Sequence, residues 1–412
     1  METTDRVFER FSLFVSPFKA DVWSSLGVRF VMGRREGSWF WDLEGKRRIL
    51  DCHGNGGTYN LGHRHPAVVS ALRRALEEFD IGNHHFVSAA RARLAERLAG
   101  CLPGDLQYTV FGVSGGEAVD TAIKVARGFT GRPGIVSAVG GYHGHTGFAL
   151  AAGDARYREP FGPLAPGFTQ VPFGDLEALE RAVDRTTAAV LFETVPATLG
   201  MRVPTPDFFP RVRDLCDRAG ALLIVDEVQT GLGRTGKMWA IEWYDVVPDI
   251  LVTGKGLSGG LYPITATCLR APLIEFFRRD PFIHVSTFGG SELGCLVALA
   301  MLDVVQAPGF LERVRKLADW YAGELERLRK KHASVLVEVR QLGLFLGLRY
   351  RSAEAGPRMT KLCFDEGLFA LFAANDPSVQ QFLPALTISD DEARFSIEVL
   401  DTCLSRLERS PD

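Results

Sequence analysis

Short apolar runs at residues 108–111, 188–192, 221–225 and 250–253 are separated by stretches with helical spacing. That alternation is what right-handed crossovers between parallel strands require. Repeated, it leads to a mostly parallel central sheet with helices on both faces. The expected fold is therefore α/β. Upstream, residues 1–60 read as short strands and turns, with a strand-like run at 28–32 punctuated by Gly37, Gly45, Gly54, Gly56 and Gly57. From Pro66 the period becomes helical, with Val68, Val69, Leu72 and Leu76 on one stripe and Arg73, Arg74, Glu77 and Glu78 off it. Beyond Gly309 a helix over 310–331 precedes strands near 334–339 and 344–348, an α+β pattern. The organisation expected is an N-terminal segment, 1–60, joining a small domain; a large α/β domain, 61–308; and a small α+β domain, 309–412. The basic run Arg329-Lys-Lys-His332 reads as a solvated helix end, where cations favour the dipole.

Composition narrows the function. The chain has 47 basic and 50 acidic side chains and a formal charge of -3. Such a balance supplies no counterion-release term for nucleic acid and no polybasic surface for a membrane. The seven cysteines lie at least 27 positions apart, which leaves no close CxxC pair and no disulfide framework. The N-terminus is charged where a signal peptide needs an apolar run, and no stretch reaches 18 apolar residues. A soluble cytoplasmic protein is expected. Of the 43 glycines, ten fall between Gly112 and Gly147 and seven between Gly231 and Gly260, so their excess is concentrated where backbone would approach a ligand closely.

Four motifs carry the chemistry. Phe111-Gly-Val-Ser114-Gly-Gly-Glu117 follows a strand and opens a helix; glycines there let backbone N–H groups converge on an anion. It also satisfies GxSxG, the nucleophile elbow of a hydrolase, with Asp226 and His284 in the order that fold uses, and a plain tight turn is a third reading. In the second motif the run 221–225 ends in Asp226, a carboxylate at the carboxyl end of a parallel strand, where ligands are met, and a loop-capping Asp is the other reading. Gly231-Leu-Gly-Arg-Thr-Gly236-Lys237, the third, has the spacing of a nucleotide P-loop but ends in Met238 instead of Ser or Thr. The fourth sets Lys255 directly after an apolar strand in Thr253-Gly-Lys-Gly256. A lysine screened from water can have its pKa lowered and act as an amine nucleophile, and a surface lysine in a turn is the other reading.

A phosphate cradle, an acidic strand end and a glycine-flanked lysine are the three parts a pyridoxal phosphate enzyme needs. With Asp51-Cys-His-Gly-Asn-Gly-Gly-Thr-Tyr-Asn-Leu-Gly-His63, the segment Asp226 to Gly236, Thr253-Gly-Lys-Gly256 and Ser286-Thr287-Phe-Gly-Gly290, the chain resembles the class III aminotransferase family, of fold type I, over nearly its whole length. The resemblance implies pyridoxal 5'-phosphate as cofactor, bound through a Schiff base to Lys255, which also shuttles the proton. It implies that Asp226 pairs with the pyridine nitrogen, Val228 packs on one ring face, Tyr142 stacks on the other and Gln229 reaches the ring hydroxyl. Ser114, Gly115 and Gly116 would hold the phosphate, and His143 and Glu193 belong to the same pocket. Thr287 would reach the phosphate of a neighbouring subunit, which implies a homodimer. No metal is expected.

Three departures bear on substrate. His145 stands where many relatives place an Arg, Thr198 ends the segment from Glu193 where ornithine-type relatives have a second Glu, and Gln381 replaces a late Arg that binds a carboxylate. Bidentate recognition by Arg is hard to replace with Gln. If carboxylate recognition has moved, Arg202, Arg234 and His84 are the candidates. The expected activity is ping-pong transfer of an amino group between an amine or amino acid and a carbonyl acceptor. A lyase or aminomutase acting on an amino alcohol or aminophosphonate, and more remotely a hydrolase using Ser114, are the alternatives.

Overall fold

Seven strands form the central sheet of the computed structural model, which describes residues 2–409. Their order is Leu106–Gly112, Thr265–Arg270, Ile250–Thr253, Leu222–Asp226, Thr187–Glu193, Gly134–Ala138, Phe168–Val171. Thr265–Arg270 pairs antiparallel with both neighbours, and the remaining pairs are parallel. Thr187–Glu193 is buried along its whole length, because helices cover both faces; its apolar run is therefore continuous and not alternating. The helix Gly115–Thr130 follows the edge strand directly. Ser114 caps it, Gly131 ends it in the left-handed region at φ 68°, and Ala118, Val119, Ala122, Ile123, Val125 and Ala126 are its buried face. The register sets Glu193 beside Asp226 at the carboxyl edge of adjacent parallel strands.

Two four-stranded sheets lie outside the central one. Met32–Glu36, Trp39–Asp42 and Arg48–Asp51 form an antiparallel meander, and Leu368–Phe369 joins its far edge in parallel. Leu336–Leu342, Phe345–Tyr350, Asp376–Phe382 and Leu371–Ala373 form the other, wholly antiparallel sheet. Leu50 and Cys52 share one core with Tyr321, Tyr350 and Phe382, so apolar burial ties the early strands to the late ones. Among the described residues, no single helix is long and apolar enough to cross a membrane.

Two expectations are corrected here. The strands expected throughout residues 1–60 begin only at Met32. Before them stand two helices, Thr4–Phe14 capped by Thr3 and Pro17–Ser25 capped by Ser16 with Pro17 at its first position. The basic run at 329–332 is not wholly solvated. The helix does end at Lys331, but His332 is buried, with Nε2 2.7 Å from Asp401 Oδ1 and Nδ1 2.9 Å from Glu408 Oε2. Lys331 joins it on Asp401.

Candidate active site

A cleft of about 560 Å³ opens at the carboxyl edge of the central sheet, lined by Ser114, Gly115, Gly116, Tyr142, His143, Glu193, Asp226, Val228, Gln229 and Lys255 among others. These are ten of the sequence candidates. The eleventh, Thr287, is exposed and lies outside the cleft. His145 and Thr198 line it as well.

Each group is held by the element that delivers it. Asp226 ends its strand nearly fully buried; Oδ1 accepts from Val228 N at 3.0 Å and Oδ2 lies 2.8 Å from His143 Nδ1. Burial alone would lower the His143 pKa. The hydrogen bond to Asp226, reinforced by the charges of Asp226 and Glu193, outweighs it and raises the value above the usual range. Glu193 ends the adjacent strand. Its Oε1 accepts from Tyr142 N at 3.0 Å and its Oε2 from Ala197 N at 3.3 Å. Burial, with the charge of Asp226 adding to it against His143, pushes the Glu193 carboxyl up to about 7.

Lys255 follows the strand Ile250–Thr253 with φ at 40°, a left-handed value uncommon for a residue with a side chain. Its Nζ donates to Gln229 Oε1 at 2.9 Å. Burial lowers its pKa, partly opposed by Asp226 and Glu193. An amine so placed is neutral more often than one in water and is the nucleophilic form.

The cradle is a helix start. Ser114 Oγ accepts from Glu117 N at 3.3 Å, and Thr265 Oγ1 donates to Ser114 O at 3.3 Å. The N–H groups of Gly115 and Gly116, in the first turn, have no acceptor within the helix and lie where the dipole favours an anion. Gly144, at φ 117°, crosses directly above: a Cβ there would stand 2.6 Å from Gly116 Cα and 2.9 Å from its N. Gly144→Ala is therefore expected to push residues 142–146 off the helix start, lowering stability by about 1–3 kcal/mol. Thermal melting reads the loss of stability, and weaker retention of pyridoxal 5'-phosphate on gel filtration reads the displacement at the cradle.

The hydrolase reading fails on geometry. Asp226 is committed to His143, and His284 lies against Thr121 Oγ1 at 3.1 Å and Lys124 Nζ at 3.2 Å. The Ser114 hydroxyl acts as a helix cap. The P-loop lookalike fails too: Lys237 Nζ donates to Glu242 O at 2.7 Å and sits over the Trp243 ring. Thr265 was missed by sequence reasoning, because nothing local marks a strand threonine as the one that touches Ser114.

The residues present fit pyridoxal 5'-phosphate. A half-buried amine with a lowered pKa, a buried carboxylate and a glycine helix start meet in one cleft of small-ligand size. His143 Nε2 is buried and has no hydrogen-bond partner among the protein atoms.

A family model described as aminotransferase class-III matches residues 23–404. The chain is 58% identical over 394 residues to an uncharacterized aminotransferase of Archaeoglobus fulgidus, covering 96% of this chain and 92% of that one. It is 35% identical over 376 residues to a putrescine aminotransferase of Pectobacterium atrosepticum, covering 89% and 80%. An ornithine aminotransferase structure from Toxoplasma gondii superposes with a TM-score of 0.91 at 27% identity, covering 99% of this chain and 96% of that one. The chain belongs to the class III aminotransferase family, fold-type-I enzymes that transfer amino groups with pyridoxal 5'-phosphate.

Proposed function

We propose that the amino donor is a small amine, mono- or diamine, whose reacting end carries no carboxylate. The observation that carries this is the cleft wall. Its basic side chains are Lys255, His143 and His145, with no guanidinium among them. Of the alternative sites for carboxylate recognition, Arg234 is fully buried and committed to Asn60 Oδ1, Leu344 O and Pro384 O, while Arg202 and His84 do not line the cleft. The putrescine aminotransferase relationship points the same way.

In this reading Lys255 would hold the cofactor covalently, Asp226 would pair with its pyridine nitrogen and Gln229 with its ring hydroxyl. Val228 and Tyr142 would flank the ring, and Ser114, Gly115 and Gly116 would receive the phosphate. When bound, the cofactor supplies an electron sink for the substrate carbon and a carrier for the amino group. The protein's own part is proton handling and placement. His143 keeps Asp226 oriented, and Glu193 holds the Tyr142 backbone through its N–H. Lys255 Nζ would be the group that takes the proton from the substrate carbon, and burial, by lowering its pKa, favours the neutral form that a base requires.

The working form proposed is a homodimer. Phe282, Ile283, Val285 and Phe288 surround Thr287 and are each about half exposed, and Phe282 continues onto His85 at 5.6 Å between ring centroids. An apolar surface of this kind suits a second copy, and Thr287 would then reach the partner's cradle.

Single turnover tests the donor class. Putrescine or a primary monoamine is expected to convert the bound cofactor from its aldehyde to its amine form at least about tenfold more efficiently than glutamate. Preference for glutamate would overturn the donor proposal. Stoichiometric ammonia or phosphate release with the aldehyde form persisting would instead indicate a lyase.

A further inference from the structure

The group that holds Gln229 comes from outside the central sheet. Gln381 lies on the strand Asp376–Phe382, where successive side chains point to opposite faces. Gln380 turns into the core, with Oε1 accepting from Tyr350 Oη at 2.7 Å and Nε2 donating to Ala370 O at 3.2 Å. Gln381 turns the other way, and its Oε1 accepts from Gln229 Nε2 at 3.3 Å. Gln229 Oε1 in turn accepts from Lys255 Nζ at 2.9 Å.

With Lys255 protonated, the chemistry of these three groups allows one arrangement. An ammonium only donates, and a side-chain amide has one accepting end and one donating end. Gln229 can serve Lys255 in only one of its two orientations, and the acceptor offered to its NH2 group selects it. A residue without an acceptor at position 381 selects neither orientation. Arginine there, which only donates, would select the reverse and turn the NH2 group onto Lys255.

We propose that Gln381 is a positioning residue that fixes the Gln229 amide with its oxygen toward the Lys255 amine. The C-terminal sheet thereby controls where that amine sits and how strongly it holds its proton. The proposal rests on Lys255 as the reacting amine, but its test reads Lys255 whatever its role.

In the full chain freed of cofactor, acetic anhydride labelling of the Lys255 peptide is followed against pH by mass spectrometry. Gln381→Met, similar in length but without an oxygen acceptor, is expected to lower the labelling midpoint by about half a unit or more. Gln381→Glu, which keeps the acceptor and adds a negative charge, does not lower it. In a Gln229→Leu background, Gln381→Met has no further effect. The other titratable groups facing Lys255, namely Asp226, Glu193 and His53, are the same throughout. In the loaded enzyme, Gln381→Met lowers kcat about fivefold with KM little changed, and Gln381→Glu restores most of it. An unchanged midpoint in Gln381→Met, a lowered one in Gln381→Glu, or an equal effect of Gln381→Met with Gln229 already removed would overturn the proposal.

Discussion

Lys255→Ala lowers kcat by about 10³-fold or more and leaves the chain folded, as steady-state transamination and thermal melting together will read. The size follows from removing two roles at one atom: covalent attachment of the cofactor, and general base catalysis, which alone contributes about 10²–10⁴-fold. The fold survives because Lys255 contributes little to packing. Its amine has one side-chain hydrogen bond, to Gln229, and burial disfavours its charge. Taking away a cation held at a cost leaves the melting temperature equal or slightly higher. A variant that melted far below the parent would mean that Lys255 supports the loop that carries it.

Asp226→Asn is the second large effect, a fall in kcat of about 10²-fold or more. The amide keeps the shape but cannot hold a protonated ring nitrogen by charge. It also changes His143. With the carboxylate gone, burial dominates and the His143 pKa drops below its usual value, which NMR titration of the imidazole detects. Stability carries the same signature. The folded-state pKa of His143 is raised above its ordinary 6.5. The pair with Asp226 therefore contributes stability that is fully present below about pH 6.5 and is lost as pH rises through the folded value. The gap in melting temperature between the protein and Asp226→Asn is accordingly widest at low pH and narrows above neutrality. A gap that widened with pH would assign the pair the opposite charge state.

The parallel core was legible in the sequence because its strands are covered on both faces, so that burial leaves continuous apolar runs such as Thr187–Glu193. Thr265–Arg270 is buried in all but its last residue, yet its reversed direction is a property of pairing and leaves no mark in composition. The N-terminal helices did leave a signal, in Thr3 and in Ser16-Pro17 at their starts. It was outweighed by the glycines downstream, although Val7, Phe8, Phe11 and Phe14 also fall at helical spacing. The site follows the same division. Lys255 and Asp226 stand out because a charge at the end of an apolar strand is locally anomalous. Partnerships such as His143 with Asp226, 83 positions apart, and Gln229 with Gln381, 152 positions apart, exist only once the chain is folded.

The central claim is that Lys255 is the residue that holds pyridoxal 5'-phosphate. Reduction of the loaded enzyme with borohydride, followed by peptide mapping, tests it directly. The cofactor mass is expected on the peptide carrying Lys255 and absent from the Lys255→Ala variant. Its appearance on Lys237, on Lys124 or on any other lysine would contradict the account.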